Sequence, residues 1–249
     1  MKTQLTLLAA AALLAAAGCS NPADDVPAAA VGAASASAGV DAAPEGEASE
    51  PADTDLAESE AADTEPVGSE TLAPAPAAVR TFAFGPETSK IGFTGSKVTG
   101  SHDGGFEEFN GEFRTEGDRL ADDGVEVVIQ TDSLWSDSQR LTGHLKNADF
   151  FDVEKYPTAE FVSTAVKAAD DGWSITGDLT LHGVTKSITF PAQVQVEDEA
   201  VHLTSEFSIN RFDFEIAYTG KADDLIRKEV VIKLDVKAQP GEAATAAEE

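Results

Sequence analysis

Cysteine is almost absent from this sequence, since the 249 residues include one, Cys19. A single thiol excludes an internal disulfide, and it also excludes a zinc site with two or more cysteine ligands. If Cys19 carries a lipid, as its neighbours indicate below, no thiol remains for a nucleophile either. The folded part of the chain must therefore owe its stability to a hydrophobic core.

Basic residues are also scarce. Lys and Arg together number 17 against 45 Asp and Glu, which gives a formal net charge of −28 at pH 7. Because nucleic-acid binding needs clustered Lys and Arg to neutralise phosphates, this composition argues against a nucleic-acid partner. The same excess of acids disfavours electrostatic docking on anionic lipid head groups.

The motifs of common catalytic and metal sites are missing. The sequence has no GxSxG, no GxGxxG and no GKS or GKT, which argues against a nucleophile elbow and against phosphate-binding loops. No HExxH spacing occurs among the four histidines, which are His102, His144, His182 and His202. On the strand pattern described below, His182 and His202 are expected to face solvent. We therefore expect no metal, no cofactor and no catalytic residue.

Long hydrophobic runs are absent too, because the apolar run at residues 5–17 is shorter than the roughly 20 residues that cross a bilayer. It follows Lys2 and ends in small residues, as in a secretory signal peptide, and the sequence AAGC that ends at Cys19 resembles a bacterial lipobox. We expect residues 1–18 to be a lipoprotein-type signal peptide and Cys19 to be lipidated. The resemblance to lipoproteins of Gram-negative bacteria implies that Ser20 favours sorting to the outer membrane, with the mature chain facing the periplasm.

Residues 19–79 contain no Lys or Arg and consist mainly of Ala, Pro, Glu, Asp and Ser. Such a segment has too little large apolar surface to offset the entropy cost of ordering, so we expect a disordered tether. A flexible chain of about 60 residues reaches about 40–45 Å, which would hold a folded domain clear of the membrane. The tail, residues 240–249, has the same composition and is also expected to be disordered.

The remaining residues, 80–239, are predicted to form one all-β domain. Apolar and polar residues alternate, as is typical of strands with one buried face. Strands are predicted at 89–95, 106–115, 125–131, 158–167, 173–182, 187–197, 201–210 and 229–238, with turns at HDGG, ADDG, DDG and HGVTK. About eight antiparallel strands joined mainly by short turns favour a closed barrel or a sandwich.

Two segments break the alternation. Residues 136–151 follow a helical stripe, with Asp137 as a possible cap. The sequence KADDLIRKE, residues 221–229, offers Asp223 or Asp224 as the start of a second short helix. Both segments lie between strands, where a helix would plug or flank one end of a barrel.

Small residues interrupt the apolar faces of several strands. They are Gly177, Ser205, Ser163 and Ala165. An eight-stranded barrel is just wide enough either to fill itself or to hold one small ligand, so small inward residues favour a cavity. The sequence equally allows a filled barrel in which these residues face bulkier neighbours or relieve strand bending, and both interpretations stay open here.

The stretch LTGHLKNADFFDVEKYPTAEF, residues 141–161, contains the best catalytic candidate. His144 lies near Asp149 and Asp152, which would allow a base with an orienting acid. The simpler interpretation is a helix histidine that fastens the helix to the barrel. The aromatic residues of this stretch form either the lip of a ligand site or the minor core under the helix; they are Phe150, Phe151, Tyr156 and Phe161.

Four stretches together carry a family resemblance. They are KIGFTGSKVTGSHDGGF, LTGHLKNADFFDVEKYPTAEF, ITGDLTLHGVTKSITFPA and INRFDFEIAYTGKADDLIRKEVVIKLDVKA. In this order they are similar to the YceI-like family of exported lipid-binding domains. The resemblance implies a single antiparallel, lipocalin-like barrel, usually eight-stranded, whose interior holds a polyisoprenoid or an isoprenoid quinone, and it implies no established catalytic activity.

The resemblance and the in-phase faces together predict the residues that line the ligand site. They are Phe93, Phe113, Phe150, Phe151, Phe161, Trp173, Ile175, Leu179, Leu181, Phe190, Phe207 and Ile209, with Arg211 and His144 at the polar head group. The expected partner is an apolar isoprenoid lipid, bound as by a carrier or reservoir, and the membrane is contacted only through the N-terminal anchor. The oligomeric state is open.

Two alternatives remain on the sequence alone. One is an enzyme that acts on the head group of an isoprenoid lipid near His144. The other is an envelope protein whose barrel is solid and whose acidic surface meets a cationic partner.

Overall fold

The computed structural model describes residues 21–35, 78–221 and 224–241. Its strands are β1 (Ala30–Ala33), β2 (Val79–Phe84), β3 (Lys90–Lys97), β4 (Gly100–Phe106), β5 (Phe109–Glu116), β6 (Arg119–Gln130), β7 (Leu134–Ser136), β8 (Thr158–Ala169), β9 (Gly172–Leu181), β10 (Val184–Val196), β11 (Val201–Asn210), β12 (Gly220–Lys221) and β13 (Asp224–Pro240). The helices are α1 (Gln139–Leu145) and the 3₁₀-helices Pro22–Asp25, Thr131–Ser133 and Arg211–Phe214.

Eight strands close into an antiparallel barrel, which confirms the predicted fold class. Around the barrel the order is β2, β5, β6, β8, β9, β10, β11 and β13, and β13 pairs with β2 to complete the circle. The strands β3, β4 and β7 continue β2, β5 and β6 beyond a bend, since β13 also pairs with β3, β3 with β4, and β4 with β7. Closure leaves few exposed backbone edges.

The two ends of the barrel differ. The strands β2, β6, β9 and β11 begin at one end, where the core is packed and four side chains are at most 1% exposed: Phe82, Leu120, Ile175 and Val201. Burying side chains of this size contributes about 1.5–3 kcal/mol each, so this closed end carries much of the stability. The opposite end, which we call the mouth, is formed by α1, the 3₁₀-helix Arg211–Phe214 and residues 216–221 and 224–226.

Three phenylalanine rings lie against glycines of the neighbouring strand. The phenylalanine–glycine pairs are Phe93 with Gly104, Phe84 with Gly111 and Phe161 with Gly177. A Cβ atom on any of these glycines would lie 2.3 or 2.4 Å from the facing ring, which is too close for any real contact. Each ring therefore lies over bare backbone and follows the wall of the barrel instead of filling its centre.

The small residues that interrupt the apolar faces have local packing roles. Gly177 makes room for a ring, and the hydroxyl of the buried Ser163 accepts a hydrogen bond from the backbone N–H of Val125 at 2.9 Å. The hydroxyl of Ser205 donates to the carbonyl of Pro191 across the gap between β10 and β11. The sequence left open whether these residues mark a cavity or face bulkier neighbours. Gly177 does face a bulkier neighbour, the ring of Phe161, and the barrel is hollow as well.

Residues 21–35 belong to the barrel wall, which corrects the prediction of a disordered tether over residues 19–79. The strand β1 pairs with β10, and the backbone N–H of Ala29 donates to the carbonyl of Ser208 in β11 at 2.8 Å. This segment fills a gap, because β10 and β11 pair directly only between residues 193–196 and 201–204. The sequence AVGA of β1 is held by backbone hydrogen bonds to β10. Such bonds leave no hydrophobic periodicity in the sequence, so the strand was not predicted.

Asn21 fastens the start of this segment to β3. Its Oδ1 accepts a buried hydrogen bond from the hydroxyl of Ser96 at 3.2 Å and also caps the helix Pro22–Asp25 by accepting from the N–H of Ala23. Cys19 is only two residues earlier in the chain, whereas the predicted reach of about 40–45 Å needs a flexible tether of about 60 residues.

Several predictions fall outside the described residues. The signal peptide, the lipidation of Cys19, residues 36–77 of the tether and residues 242–249 of the tail all lie there and stay predictions. The tail begins later than predicted, because Pro240 belongs to β13 and the N–H of Gly241 donates to the carbonyl of Thr81 at 3.1 Å.

Both predicted helices need correction. The helix α1 covers Gln139–Leu145 instead of residues 136–151, and its N-cap is Ser138, whose hydroxyl accepts from the N–H of Leu141 at 3.4 Å. Asp137 does not cap the helix. The helix predicted at 221–229 is wrong, since β12 pairs with the start of β13 and strand pairing overrides the local helix signal.

Two predicted turns are wrong as well. The sequence HDGG lies within β4 and ADDG within β6. In β4 the glycines do not bend the chain. A Cβ on Gly105 would meet the carbonyl of Ile91 at 2.8 Å, so these glycines allow close approach of the flanking strands.

The contact between Phe161 and Gly177 predicts the effect of a methyl group. We expect Gly177→Ala to lower the free energy of unfolding by about 1–3 kcal/mol, because the ring and the nearby carbonyl of Val162 must both move. Urea denaturation measures this change. Gly143→Ala is the matched control, because a Cβ at Gly143 in α1 meets nothing within 4 Å. Equal stability of Gly177→Ala and the wild type would contradict the packing described here.

Candidate functional site

The barrel encloses an apolar cavity of about 600 Å³. One face of β13 follows its length, with Ile226 near the mouth and Val236 near the closed end. Ten residues of strand at about 3.3 Å each correspond to about 30 Å. The three phenylalanine rings over glycines form part of its wall. A long, narrow and apolar space of this volume suits one extended apolar chain.

Polar groups on the cavity wall are concentrated at the mouth. They include the six basic or imidazole side chains Lys97, His102, Arg140, His144, Arg211 and Arg227. Among the described residues, no Asp or Glu lines the cavity. This composition is the reverse of the whole chain, in which acids outnumber Lys and Arg by 45 to 17. The mouth is therefore locally suited to an electron-rich or anionic group.

Arg211 is the most buried of these cations, at 4% exposure. Its guanidinium donates to three backbone carbonyls, those of Ile216, Ile226 and Arg227. Burial lowers the pKa of the Arg211 guanidinium. The described residues include no carboxylate paired with it. Carbonyl dipoles and the rings of Phe150 and Phe212, whose centroids lie 5.9 and 4.6 Å from its guanidinium carbon, compensate for its desolvation. Arg211 thus ties the helix Arg211–Phe214 to the start of β13.

Arg227 has a buried donor without a protein partner. Its Nε atom is fully buried, and no acceptor lies within hydrogen-bond distance in the described residues. A buried donor left unsatisfied costs about 1–3 kcal/mol, and an acceptor on a ligand would remove that cost. Arg227 lines the cavity, and an oxygen atom of a head group would reach its Nε only after a shift of this side chain.

His144 is held in an aromatic cluster. Its ring makes edge contacts with Phe150 and Tyr218, with centroids 5.1 and 5.0 Å away. The distance from its Nε2 to Oδ2 of Asp149 is 3.7 Å, which is too long for a hydrogen bond. The geometry therefore favours the interpretation of a helix histidine that fastens α1 to the barrel, and it gives Asp149 no orienting hydrogen bond to this ring.

Twelve of the fourteen predicted ligand residues lie on the cavity wall. They are Phe93, Phe113, His144, Phe150, Phe151, Phe161, Leu179, Leu181, Phe190, Phe207, Ile209 and Arg211. That they bind a ligand stays a prediction. Trp173 and Ile175 were predicted to line the cavity, and this is wrong, because they lie near the start of β9 and pack into the core of the closed end. Periodicity identifies the inward face of a strand but not the depth along it.

Sequence reasoning missed other wall residues. In β13 the in-phase residues Ile232 and Leu234 carried a usable signal, since their alternation was already recognised. The mouth residues Arg140, Tyr218 and Arg227 carried none, because they lie in or next to irregular segments and are brought together by the closure of the barrel.

The other histidines have structural neighbours. His102 contacts Asp137 and His202 contacts Asp235, each at 2.8 Å. His182, predicted to face solvent on a strand, instead lies in the turn after β9 with a φ of 52° and contacts the carbonyl of Phe214 at 3.2 Å. In the described parts of the chain, no three His, Cys, Asp or Glu side chains gather closely enough to hold a metal ion.

The contacts of Arg211 predict a large loss of stability on truncation. We expect Arg211→Met to lower the free energy of unfolding by about 2–4 kcal/mol, because three buried carbonyls lose a charged donor. Arg119→Met, which breaks a surface pair with Glu116, should cost at most about 1 kcal/mol. Denaturant titration compares the two. A smaller loss for Arg211→Met than for Arg119→Met would refute the role assigned to Arg211.

Solved structures with the same fold include two bacterial proteins. The Burkholderia cenocepacia protein BcnA is 24% identical, with a TM-score of 0.54, and the match covers 61% of this chain and 98% of BcnA. A polyisoprenoid binding domain from Saccharophagus degradans, described as implicated in plant cell wall breakdown, is 16% identical, with a TM-score of 0.51. That match covers 66% of this chain and all of the domain. At these identities the likeness shows the fold alone.

Sequence relatives are nearer. A UPF0312 protein of Pseudomonas putida (strain W619) is 36% identical over 137 residues, which are 52% of this chain and 71% of that protein. Protein YceI of Escherichia coli (strain UMN026) is 44% identical over 91 residues, which are 36% of this chain and 48% of that protein. The family model of the YceI-like domain matches residues 82–238, which include almost the whole barrel. This chain belongs to the YceI-like family.

Proposed function

We propose that this protein is an envelope binding protein that holds one isoprenoid-type lipid inside its barrel, as a carrier or reservoir. The ligand is a polyisoprenoid or an isoprenoid quinone. The observation that carries the proposal is the apolar cavity of about 600 Å³, which has its polar groups at one end. The name of the Saccharophagus degradans neighbour, a polyisoprenoid binding domain, supports the same class of ligand.

The energy for binding comes from the apolar chain. A ligand that removes about 400 Å² of its apolar surface from water on binding gains about 10 kcal/mol at 25 cal/mol per Å². Ordering the chain and losing its free motion cost part of this gain, and the remainder still supports tight binding. Because the apolar wall is not directional, the cavity can accept related chains of different length.

The head group is assigned to the mouth. A quinone carbonyl or a phosphate oxygen would accept from the guanidinium of Arg227 after a shift of this side chain exposes Nε, with Arg140 and His144 on the same wall. Arg211 commits three of its five N–H donors, one on each guanidinium nitrogen, to backbone carbonyls, so its main contribution to the head group is positive charge. In this proposal the polar end of the ligand lies at the mouth and its tail points towards Val236.

Binding without catalysis is the function we assign. Membership of the YceI-like family suggests a binding domain, and the separation of 3.7 Å between His144 and Asp149 gives no support to a base with an orienting acid. No cofactor beyond the bound lipid is part of the proposal.

The cellular location is proposed from sequence. Residues 1–18 would direct export, and acylation of Cys19 would anchor the mature chain at the periplasmic side of the outer membrane. Among the residues that the structure describes, no helix has the length and apolar character to span a bilayer.

Filling the cavity tests the lipid-binding proposal. Protein exported by a Gram-negative host should carry a co-purifying isoprenoid lipid, detected by native mass spectrometry and by organic extraction. Leu179→Trp places a large ring on the cavity wall, so we expect the variant to lose most of this lipid.

The matched control is Val162→Trp on the neighbouring strand, where the side chain faces outward and is 43% exposed. This variant should keep its lipid, and circular dichroism should show that both variants fold. Empty wild-type protein, or full retention of lipid by Leu179→Trp, would sink the proposal.

The anchor is tested separately. Cys19→Ser should remove acylation. The protein should then carry no acyl chains and should move from the outer-membrane fraction to the soluble periplasmic fraction. Mass spectrometry of the N-terminal peptide and membrane fractionation measure both. An unmodified Cys19 in the wild-type protein would rule out the anchor.

A further inference from the structure

Exposed apolar side chains lie at the mouth of the barrel. Val98 is 51% exposed, Leu225 is 49% exposed and Phe212 is 40% exposed. Val98 follows the end of β3, and its N–H donates to the carbonyl of Leu225 at 3.1 Å, so these two residues are adjacent. We call Val98, Phe212 and Leu225 the apolar rim.

Phe212 belongs to the same end of the barrel. Its ring lies 4.6 Å from the guanidinium carbon of Arg211. That guanidinium in turn donates to the carbonyl of Ile226, the residue after Leu225. The apolar rim therefore lies at the part of the mouth where β3 and β11 end and β13 begins.

Single exposed apolar residues are common on protein surfaces and need no explanation. The apolar rim is different because its members share the one end of the barrel at which the apolar cavity carries its polar groups. Grouped apolar residues beside a cavity mark an interaction surface. Exposure of these side chains to water is unfavourable, and their burial against an apolar partner would lower the free energy.

The cavity wall next to the rim carries positive charge, while Asp213 is the neighbour of Phe212 in the chain. Arg140 and Arg227 line the same mouth, and no Asp or Glu lines the cavity among the described residues. In a chain with a net charge of −28, a local group of arginines beside apolar side chains fits a surface that is apolar inside and phosphate-rich outside. A lipid bilayer has this construction.

The start of the described N-terminal segment, Asn21, lies close to the rim. Asn21 is hydrogen-bonded to Ser96, which is two residues before Val98. Cys19 precedes Asn21 by two residues in the sequence, and two residues of extended chain span at most about 7 Å. Any group that fixes Cys19 in a membrane would therefore hold this end of the barrel next to that membrane.

We propose that the apolar rim rests on a lipid bilayer with the mouth facing the membrane, so that the ligand passes directly between the bilayer and the cavity. This inference rests on the proposed lipid-binding function and names the membrane as the partner of the same site. It replaces the expectation that the membrane is contacted through the anchor alone. A ligand that moves through this contact never exposes its apolar chain to water.

The test compares two readouts on the Cys19→Ser chain, which removes the effect of the anchor. The first readout is equilibrium binding of a fluorescent polyprenol presented in detergent. The second is the rate at which protein extracts the same polyprenol from vesicles of phosphatidylethanolamine and phosphatidylglycerol. The rim variant is Val98→Ser with Leu225→Ser, and the matched control is Val162→Ser on the outer wall of β8.

We expect the rim variant to bind polyprenol in detergent as the parent does and to extract it from vesicles about tenfold more slowly, because two apolar contacts with the bilayer are lost. The control should match the parent in both readouts. Extraction by the rim variant at the parent rate, with binding intact, would overturn the rim proposal and leave the binding function standing.

Two further outcomes are also decisive. If the parent binds no polyprenol in detergent, the proposed function fails and the rim proposal fails with it. If light scattering shows that the parent is a dimer and the rim variant a monomer, the rim is an interface between two copies of this chain, and the bilayer proposal is overturned.

Discussion

The contact between a phenylalanine ring and a bare glycine backbone is the interaction on which the hollow barrel depends. In each of the three phenylalanine–glycine pairs the ring occupies space that a single methyl group would take. The ring can therefore lie along the wall. Rings that pointed to the axis of an eight-stranded barrel would fill it, since such a barrel is barely wider than its own side chains. Because the glycines lack side chains, these bulky rings lie flat on the inner wall and leave the centre of the barrel open.

The closed end of the barrel contributes mainly to stability, and the mouth carries the residues that we propose bind the ligand. At the closed end, Phe82 and Val201 belong to a fully packed core, and this end can hold the fold together without help from a ligand. At the mouth, Arg211 stiffens an otherwise irregular end by bonding three carbonyls, while Arg227 keeps an unsatisfied donor. Unsatisfied polar groups are uncommon in folded proteins, and Nε of Arg227 is one at the end of the barrel where we propose that the polar head lies.

The sequence predicted the barrel because alternation with a period of two is a direct record of which face of each strand is buried. It could not predict how far along the barrel a residue lies, and for that reason Ile175 was placed on the cavity wall instead of in the closed end. It also missed β1, whose small residues are held by backbone hydrogen bonds to β10 and carry no periodic signal. The arginines of the mouth come from segments far apart in the chain and meet only when the barrel closes.

The central claim is that the barrel is an open, apolar tube that receives one lipid chain from its mouth. A crystal structure of protein purified from its native host, without added ligand, tests it most directly. The account predicts continuous tubular density from the level of Ile226 towards Val236, with its polar end beside Arg227. A lumen filled by the side chains of Phe84, Phe93 and Phe161 turned inward, with no space for a chain, would contradict it.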